Sequence, residues 1–244
     1  MKRTFIFFFT LFLAFAFKTV AQPLDFNSPL PVDETIKKGV LPNGMTYYIK
    51  STDVVKDAAS YYIIQNVGSV LENEDQRGLA HFLEHMAFNG TESFPGKGIL
   101  NTLQKHGAVF GKDINAYTSF DETVYNLSNI PTKDGLIDTC LTVLNDWSNY
   151  LLLTDEEIDA ERGVIKEEWR TRQNGQMRLF ETSLPITFNH SKYADRLPIG
   201  LMSVVDNFEY KALRDFYHDW YRTDLQAIAI IGDVNVDEVE QKII

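Results

Sequence analysis

The five residues 81–85, with the sequence His-Phe-Leu-Glu-His, constrain the fold of this chain more than any other segment. On an α-helix, positions four apart lie one turn apart on a shared face, so His81 and His85 would point the same way, with Glu84 at the edge of that face. Apolar residues fill the remaining positions, namely Leu79, Ala80, Phe82, Leu83, Met86, Ala87 and Phe88. A helix that is apolar all round is typical of a protein interior. The sequence therefore predicts a buried helix that carries two imidazoles and one carboxylate.

Three polar groups inside an apolar helix need partners, because burying an imidazole or a carboxylate without one is strongly unfavourable. A zinc ion is the simplest partner for His81 and His85, and Glu84 beside it could accept a proton from a water molecule on the metal. The order H-x-x-E-H is also the inverted form of the H-E-x-x-H motif of zinc peptidases. A paired core histidine, or a histidine that caps a helix, would explain one imidazole but not this set of three. We therefore predict His81 and His85 as zinc ligands and Glu84 as a general base.

A second helical segment offers the further ligand that a zinc site needs. Residues 154–172 begin with Thr154 as an N-cap, followed by an acidic first turn. Projected at about 100° per residue, the charged side chains fall broadly on one side and the apolar ones on the other, where they include Ile158, Val164, Ile165 and Trp169. Glu161 and Glu168 are the exceptions, because they lie two turns apart on the apolar arc and need a cation there. One of them is predicted to be the third zinc ligand, and the other to hold a ligand histidine from behind.

Three ordered blocks of the sequence resemble the pitrilysin/insulinase group of inverzincin peptidases, which also includes the mitochondrial processing peptidases. The blocks are residues 81–91 (HFLEHMAFNGT), 115–119 (NAYTS) and 161–168 (ERGVIKEE). The last block is similar to the family pattern E-R-x-V-x-x-x-E, in which the final glutamate binds zinc and the first supports a ligand histidine. The resemblance therefore implies Glu168 as the third ligand and Glu161 as the supporting carboxylate. It also implies that Asn115 and Ala116 belong to the strand that binds the substrate.

The resemblance extends over nearly all of residues 32–244 and implies an α/β fold, an α+β sandwich whose mostly antiparallel sheet packs against helices. The implied activity is that of a zinc-dependent endopeptidase with one zinc ion per chain, which hydrolyses peptides or unfolded protein segments. The spacing between His85 and Glu168 is a few residues longer than is usual in the family. An insertion near residues 130–135 or near residues 149–154 would account for the difference.

Two other classes of protein are compatible with parts of this pattern. The first is a non-catalytic family member that binds peptides or partner proteins, although such members usually lose the zinc motif that is complete here. The second is a structural zinc domain, whose closed site usually has four protein ligands with cysteine prominent. The only cysteine, Cys140, lies in an apolar helical pattern and is predicted to be a core thiol. Cleavage of a quenched peptide would distinguish an enzyme from both alternatives.

The N-terminal residues have the pattern of an export signal. Lys2 and Arg3 precede an apolar stretch at residues 5–17, and Thr19-Val20-Ala21 forms a small-residue cleavage site. The apolar stretch is shorter than the roughly 20 residues that span a membrane comfortably. We therefore predict cleavage after residue 21, export without stable membrane insertion, and a periplasmic location in preference to secretion. An uncleaved membrane anchor is the alternative.

The charge of the chain disfavours one class of partner. The sequence has 23 basic and 34 acidic side chains, and removal of residues 1–21 would leave a net charge of about −14. A chain this acidic is poorly suited to binding nucleic acid. The other three histidines have no ligand-like spacing, so His106 is predicted to lie at a helix end and His190 and His218 in the surface or core.

The remaining pattern predicts a mixed α/β domain. Strands are expected at residues 36–40, 45–50, 58–67, 114–118, 122–127 and 225–231. Helices are expected at residues 97–106, 135–152, 154–172, 201–206, 210–221 and 236–244. The last helix stops in mid-pattern, and the resembled family is built from two homologous halves or paired subunits. We therefore expect residues 22–244 to be the N-terminal catalytic domain of a longer polypeptide, whose C-terminal half or a homologous subunit completes the enzyme.

Overall fold

One mixed sheet carries the fold in this computed structural model, which describes residues 32–244. Its strands are β1 (Lys37–Val40), β2 (Thr46–Ser51), β3 (Ala58–Gln65), β4 (Ile114–Thr118), β5 (Thr123–Pro131) and β6 (Gln226–Gly232). Their spatial order is β1-β2-β6-β3-β5-β4, in which β2 and β6 run parallel and the other neighbours antiparallel. The prediction of a mostly antiparallel sheet is confirmed, and β4 lies at one edge of it. The export signal expected at residues 1–21 lies outside the described residues.

Helices cover this sheet. Within residues 32–244 they are α1 (Leu79–Met86), α2 (Gly98–Gln104), α3 (Leu136–Asn149), α4 (Asp155–Arg172), α5 (Gly175–Thr187), α6 (Met202–Val205), α7 (Tyr210–Trp220) and α8 (Val236–Ile243). The helix α3 packs on β3 and β5, whereas α1 packs against β4, α4 and α7. Among these described helices, none has both the length and the apolar character that crossing a membrane requires.

The strand β3 shows why the sheet forms. Its centre is Tyr61-Tyr62-Ile63-Ile64, and burial alternates along it, so that Tyr61 and Ile63 are fully buried while Tyr62 and Ile64 are half-buried on the other face. Such side chains suit the pleated surface of a sheet, where successive residues point to opposite faces. The face that carries Tyr61 and Ile63 belongs to the main hydrophobic core, which also contains the apolar residues of α1.

The helix α1 is held in this core at its C-terminal end by Trp147 of α3. Every residue of α1 except His85 is buried, which confirms the prediction of a buried helix. The Trp147 indole donates a hydrogen bond to the carbonyl oxygen of Ala87 over 3.0 Å, and its ring stacks on Tyr125 of β5 with centroids 5.2 Å apart. This bond satisfies one of the carbonyls that a helix leaves free at its C-terminal end.

Glu72 supports the opposite end of α1. One oxygen of its fully buried carboxyl group accepts a hydrogen bond from the backbone N–H of Ala80 over 2.9 Å. Gly78 precedes the helix with φ of +108°, and the loop at Gly200 lies so close that a Cβ there would stand 2.3 Å from the Gly78 Cα. Glycine is required at this contact, because no side chain fits between the two backbones.

Two expectations about helices need correction. The side chain of Val164 was expected on the buried arc of α4, yet it is 49% exposed. The buried residues of α4 are Ile158, Glu161 and Ile165, and Val164 projects beyond this narrow arc. The helix α5 was not predicted, because only its Leu184 is buried and its pattern has no clear apolar face. Its start is marked by Asn174, whose side chain accepts a hydrogen bond from the Met177 N–H over 2.9 Å and so caps the helix.

Replacing Glu72 by glutamine tests the support at the start of α1. Burial raises the pKa of Glu72 from 4.5 to about 8, so the folded protein retains a proton that the unfolded chain loses between these values. The stability that this proton provides is complete below the unfolded pKa and is lost as the pH rises through the folded pKa. Glutamine keeps an oxygen acceptor but cannot ionise. We expect the melting temperature of Glu72→Gln, relative to the unchanged protein, to rise between about pH 5 and about pH 9.

All other ionisable groups are common to the two proteins, so the difference in melting temperature isolates Glu72. A difference that stays constant over this pH range would contradict the raised pKa.

Candidate metal centre

Three side chains from two helices converge at one point beside β4. His81 and His85 lie one turn apart on α1, with ring centroids 4.7 Å apart. The Nε2 atom of each imidazole is 3.5 Å from the same atom, Oε2 of Glu168 on α4. One possible ligand atom from each of the three residues lies within 4.8 Å of the others, and no other such group occurs within residues 32–244. The structure thus brings together the three side chains that were predicted as metal ligands.

The carboxylate of Glu168 is divided between two environments. Its Oε1 is paired with the guanidinium of Arg172, one turn further along α4. Its Oε2 is buried and has no hydrogen-bond partner within the described residues, although it faces both imidazoles. A buried carboxylate oxygen without a partner is energetically costly, so this atom points to a cation that completes the group.

The spacing of the three atoms suits zinc. Tetrahedral bonds of about 2.0–2.2 Å separate two ligand atoms by about 3.3–3.6 Å. The two imidazole-to-carboxylate distances of 3.5 Å fall in this interval. Two nitrogen atoms and one carboxylate oxygen also form the donor set of catalytic zinc sites, which leave the fourth position open. The residues present therefore fit a zinc ion.

The two imidazoles differ in their electrostatic surroundings. Burial, and then the proximity of His85, lower the pKa of His81 to about 4, which keeps its ring neutral and able to bind a metal. Burial also disfavours charge on His85, but the carboxylates of Glu161 and Glu168 outweigh this effect and raise its pKa to about 9. The pair of carboxylates beside His85 therefore attracts positive charge to this position, whether a proton or a metal ion supplies it.

Glu161 supports His85 from behind. Its Oε1 lies 2.8 Å from Nδ1 of His85, so the ring donates its Nδ1 proton there and presents Nε2 to Glu168. Its Oε2 accepts a hydrogen bond from the amide of Asn89 over 2.5 Å. Burial opposes ionisation of Glu161, yet the hydrogen bonds from His85 and Asn89 prevail and lower its pKa. The position of Glu161 is the one that the sequence assigned to the supporting carboxylate.

Glu84 lies one position before His85 on α1 and is not one of the three residues whose ligand atoms converge. Its Oε2 accepts a hydrogen bond of 2.6 Å from the hydroxyl of Thr118, the last residue of β4. Burial raises the pKa of Glu84 above its ordinary value, and the bond from Thr118 opposes this shift. Thr118 belongs to the NAYTS block, in which the sequence alone indicates no role for it. Its contact with Glu84 depends on how β4 packs on α1, which no local pattern in the sequence specifies.

The strand β4 presents the other two residues that were predicted for the site. Asn115 is exposed and Ala116 is half-buried, and both lie on the edge strand that pairs only with β5 within the described sheet. The histidines that were predicted to lie outside the site, His106, His190 and His218, are all exposed. Cys140 is buried in α3 and forms no disulfide, as predicted for a core thiol.

Comparison with known proteins identifies relatives of most of the chain. It is 36% identical over 239 residues to the probable zinc protease PqqL of Haemophilus influenzae, and 38% identical over 209 residues to the probable zinc protease PqqL of Escherichia coli. These alignments cover 98% and 86% of this chain but 26% and 22% of the two relatives. The chain thus spans about a quarter of the length of the curated relatives that it matches.

A solved structure shares the fold. The crystal structure of the first half of the periplasmic protease PqqL from Escherichia coli superimposes with a TM-score of 0.83 at 38% sequence identity, and the match covers 88% of this chain and 46% of that one. Residues 48–197 match the insulinase family of peptidases (Peptidase family M16). This range includes both histidines of α1 and both inward-facing glutamates of α4. The chain therefore belongs to the insulinase family of peptidases.

Proposed function

We propose that this chain is the N-terminal catalytic domain of a zinc-dependent endopeptidase, which hydrolyses peptides or unfolded protein segments. The observation that carries the proposal is the convergence of two imidazole nitrogens and one carboxylate oxygen beside a separate buried carboxylate, Glu84. A metal site that only stabilises a fold has no need of a free carboxylate next to it, whereas a hydrolase needs one as a base. The names of the relatives, which are zinc proteases, support the same conclusion.

In this proposal His81, His85 and Glu168 hold one zinc ion per chain. A zinc ion held there supplies Lewis-acid chemistry, which makes a water molecule reactive near neutral pH. Glu161 fixes the ring of His85 so that Nε2 points to the centre, over the 2.8 Å contact to Nδ1. Arg172 binds the outer oxygen of Glu168 and so directs the other oxygen inward. His85 and Glu168 are thus each oriented by a charged residue of α4.

Glu84 is the general base of the proposed reaction. It accepts a proton from the attacking water and later returns one to the leaving amine. The 2.6 Å hydrogen bond from Thr118 holds one oxygen of Glu84, which fixes the carboxylate and leaves its other oxygen available for the proton. Because Glu84 is buried, few other water molecules compete for this position.

An extended peptide would bind along the edge strand β4. Backbone hydrogen bonds from the exposed edge at Asn115 and Ala116 would bind the main chain of the substrate with little demand on its sequence. Thr118 ends the same strand, so the strand that binds the peptide also carries the hydroxyl that holds the base. The scissile bond of a peptide bound in this way would lie near the proposed zinc ligands.

The complete enzyme is proposed to contain more than this chain. Residues 1–21 would act as an export signal that leads to the periplasm, the location given for the protease PqqL of Escherichia coli. The match of this chain to 46% of the first half of that protease supports a longer polypeptide. A C-terminal half, or a homologous subunit, would enclose the peptide and stabilise the tetrahedral transition state.

Replacement of Glu84 by glutamine tests whether this carboxylate is a base. In the full-length polypeptide we expect Glu84→Gln to lower kcat for a quenched peptide by about 10²–10⁴-fold, because the amide cannot accept the proton. The zinc content should stay near one per chain, since Glu84 is not one of the three residues whose ligand atoms converge. Loss of zinc together with activity would show that Glu84 is a ligand. Absence of cleavage by the unchanged, zinc-loaded protein would favour the non-catalytic alternative.

Two adjacent glutamates offer a matched pair for the metal site. Glu168 faces the imidazoles, whereas Glu167 is exposed and forms an ion pair with Arg170. We expect Glu168→Gln to strip zinc from the purified protein, because a neutral amide is a poor zinc ligand. Glu167→Gln should retain zinc, since it changes only a solvent-exposed ion pair. Metal analysis of the two variants decides the assignment, and the reverse result would contradict the ligand set.

A further inference from the structure

A chain of hydrogen bonds extends behind His85 beyond Glu161. The ammonium of Lys97 donates to Oδ1 of Asn89, and the Asn89 amide donates to Oε2 of Glu161 over 2.5 Å. The other oxygen of Glu161 lies 2.8 Å from Nδ1 of His85. The four residues come from three segments, the helix α1 with the turn that follows it, the residue before α2, and α4. This series of hydrogen bonds therefore connects a surface lysine to the imidazole of a proposed zinc ligand.

The inner members of this hydrogen-bond series, Asn89 and Glu161, are closed to solvent. The exposed fraction is 5% for Asn89 and 7% for Glu161, whereas Lys97 is exposed. Water therefore cannot readily replace a lost partner of Glu161. A buried carboxylate with one unpaired oxygen would turn towards another donor or draw in solvent. The hydrogen bond from Asn89 is thus what allows Glu161 to keep one oxygen on His85.

Lys97 and Glu161 favour the same orientation of the Asn89 amide. An ammonium group has three donors and no acceptor, so it contacts the oxygen of the amide and not its nitrogen. The amide nitrogen must then face Glu161, which needs a donor. With Lys97 removed, the Asn89 oxygen loses its cationic donor, and the amide is held only by its bond to Glu161.

We propose that Asn89 and Lys97 are positioning residues of the metal centre, which act on His85 only through Glu161. Asn89 holds the carboxylate of Glu161, and Lys97 holds the amide of Asn89. This inference rests on the proposed function of His85 as a zinc ligand. It adds two residues to the site, neither of which is a metal ligand or the general base.

The consequence for metal binding follows from the order of the contacts. Changes to groups that orient a zinc ligand typically cost about 10–100-fold in metal affinity. We expect Asn89→Leu to weaken zinc binding by at least about 10-fold, because Glu161 then loses a donor in a buried place. Lys97→Met should weaken it less, by about 2–5-fold, because Asn89 still occupies the position. In the Asn89→Leu background, Lys97→Met should cost nothing more, since its route to Glu161 is already absent.

The experiment measures zinc dissociation constants by competition with a chromophoric chelator. The proteins compared are the unchanged one, Asn89→Leu, Lys97→Met, the double variant and Lys97→Arg, which keeps a cationic donor. Lys105→Met is the matched control, because Lys105 is an exposed lysine just after α2. Visible absorption of the cobalt-substituted proteins gives a second readout, since these bands depend on ligand geometry and a merely structural change elsewhere would leave them unaltered.

The proposal requires weaker zinc binding and altered cobalt bands in Asn89→Leu, recovery in Lys97→Arg, and no effect of Lys105→Met. It is overturned if Asn89→Leu binds zinc as tightly as the unchanged protein, or if the losses from Asn89 and Lys97 add in the double variant. If Asn89→Leu does not fold, Lys97→Met at its exposed position still decides the question, and unaltered affinity and bands in that variant overturn the proposal. An unchanged protein that binds no zinc would instead refute the proposed function, which keeps the two failures distinct.

Discussion

The burial of two imidazoles within the apolar helix α1 is the constraint on which the rest of the structure depends. Such groups are stable inside a protein only when other polar groups meet them. Here α4 supplies both partners, with Oε1 of Glu161 2.8 Å from Nδ1 of His85 and Oε2 of Glu168 3.5 Å from the Nε2 atoms of both histidines. The packing of α4 against α1 is therefore fixed by polar contacts as well as by apolar ones, and any shift between the two helices would separate the converging atoms.

Other parts of the fold keep α1 in the place that these contacts need. The Trp147 indole binds the carbonyl of Ala87 at one end, and the buried carboxyl group of Glu72 accepts from Ala80 at the other. Along one side, Thr118 of the edge strand β4 reaches Glu84. The same helix thus connects the core, the candidate metal centre and the strand proposed to bind peptide. A chemical site that needs accuracy of a fraction of an ångström gains from such anchoring, because rigid elements hold its side chains in one geometry.

The parts of the site that the sequence predicts are those set by positions within a single helix. The four-residue spacing of His81 and His85 follows from helical geometry, which also sets Glu161 and Glu168 apart from Glu167. The family resemblance then singles out Glu168, and the structure brings this residue together with the two histidines. The contact of Thr118 with Glu84 joins segments 34 residues apart, and that of Lys97 with Asn89 crosses the loop between α1 and α2, so only the packed fold reveals them. Val164 shows that helical geometry can also mislead. It is an apolar residue at the edge of the predicted buried arc, yet it is exposed because no neighbouring element covers it. The helix α5 was not predicted because only Leu184 is buried in it, so its sequence has no periodic pattern of apolar residues.

The central claim is that two imidazoles and one carboxylate bind a single zinc ion. X-ray absorption at the zinc edge of the purified, zinc-loaded protein tests it most directly, because the spectrum reports the type and distance of each ligand. We expect about one zinc per chain, bound by two imidazole nitrogens and by oxygen ligands at about 2.0–2.2 Å, with no sulfur ligand. A shell at about 2.3 Å, which would indicate a thiolate such as that of Cys140, or a single imidazole, would contradict the ligand set.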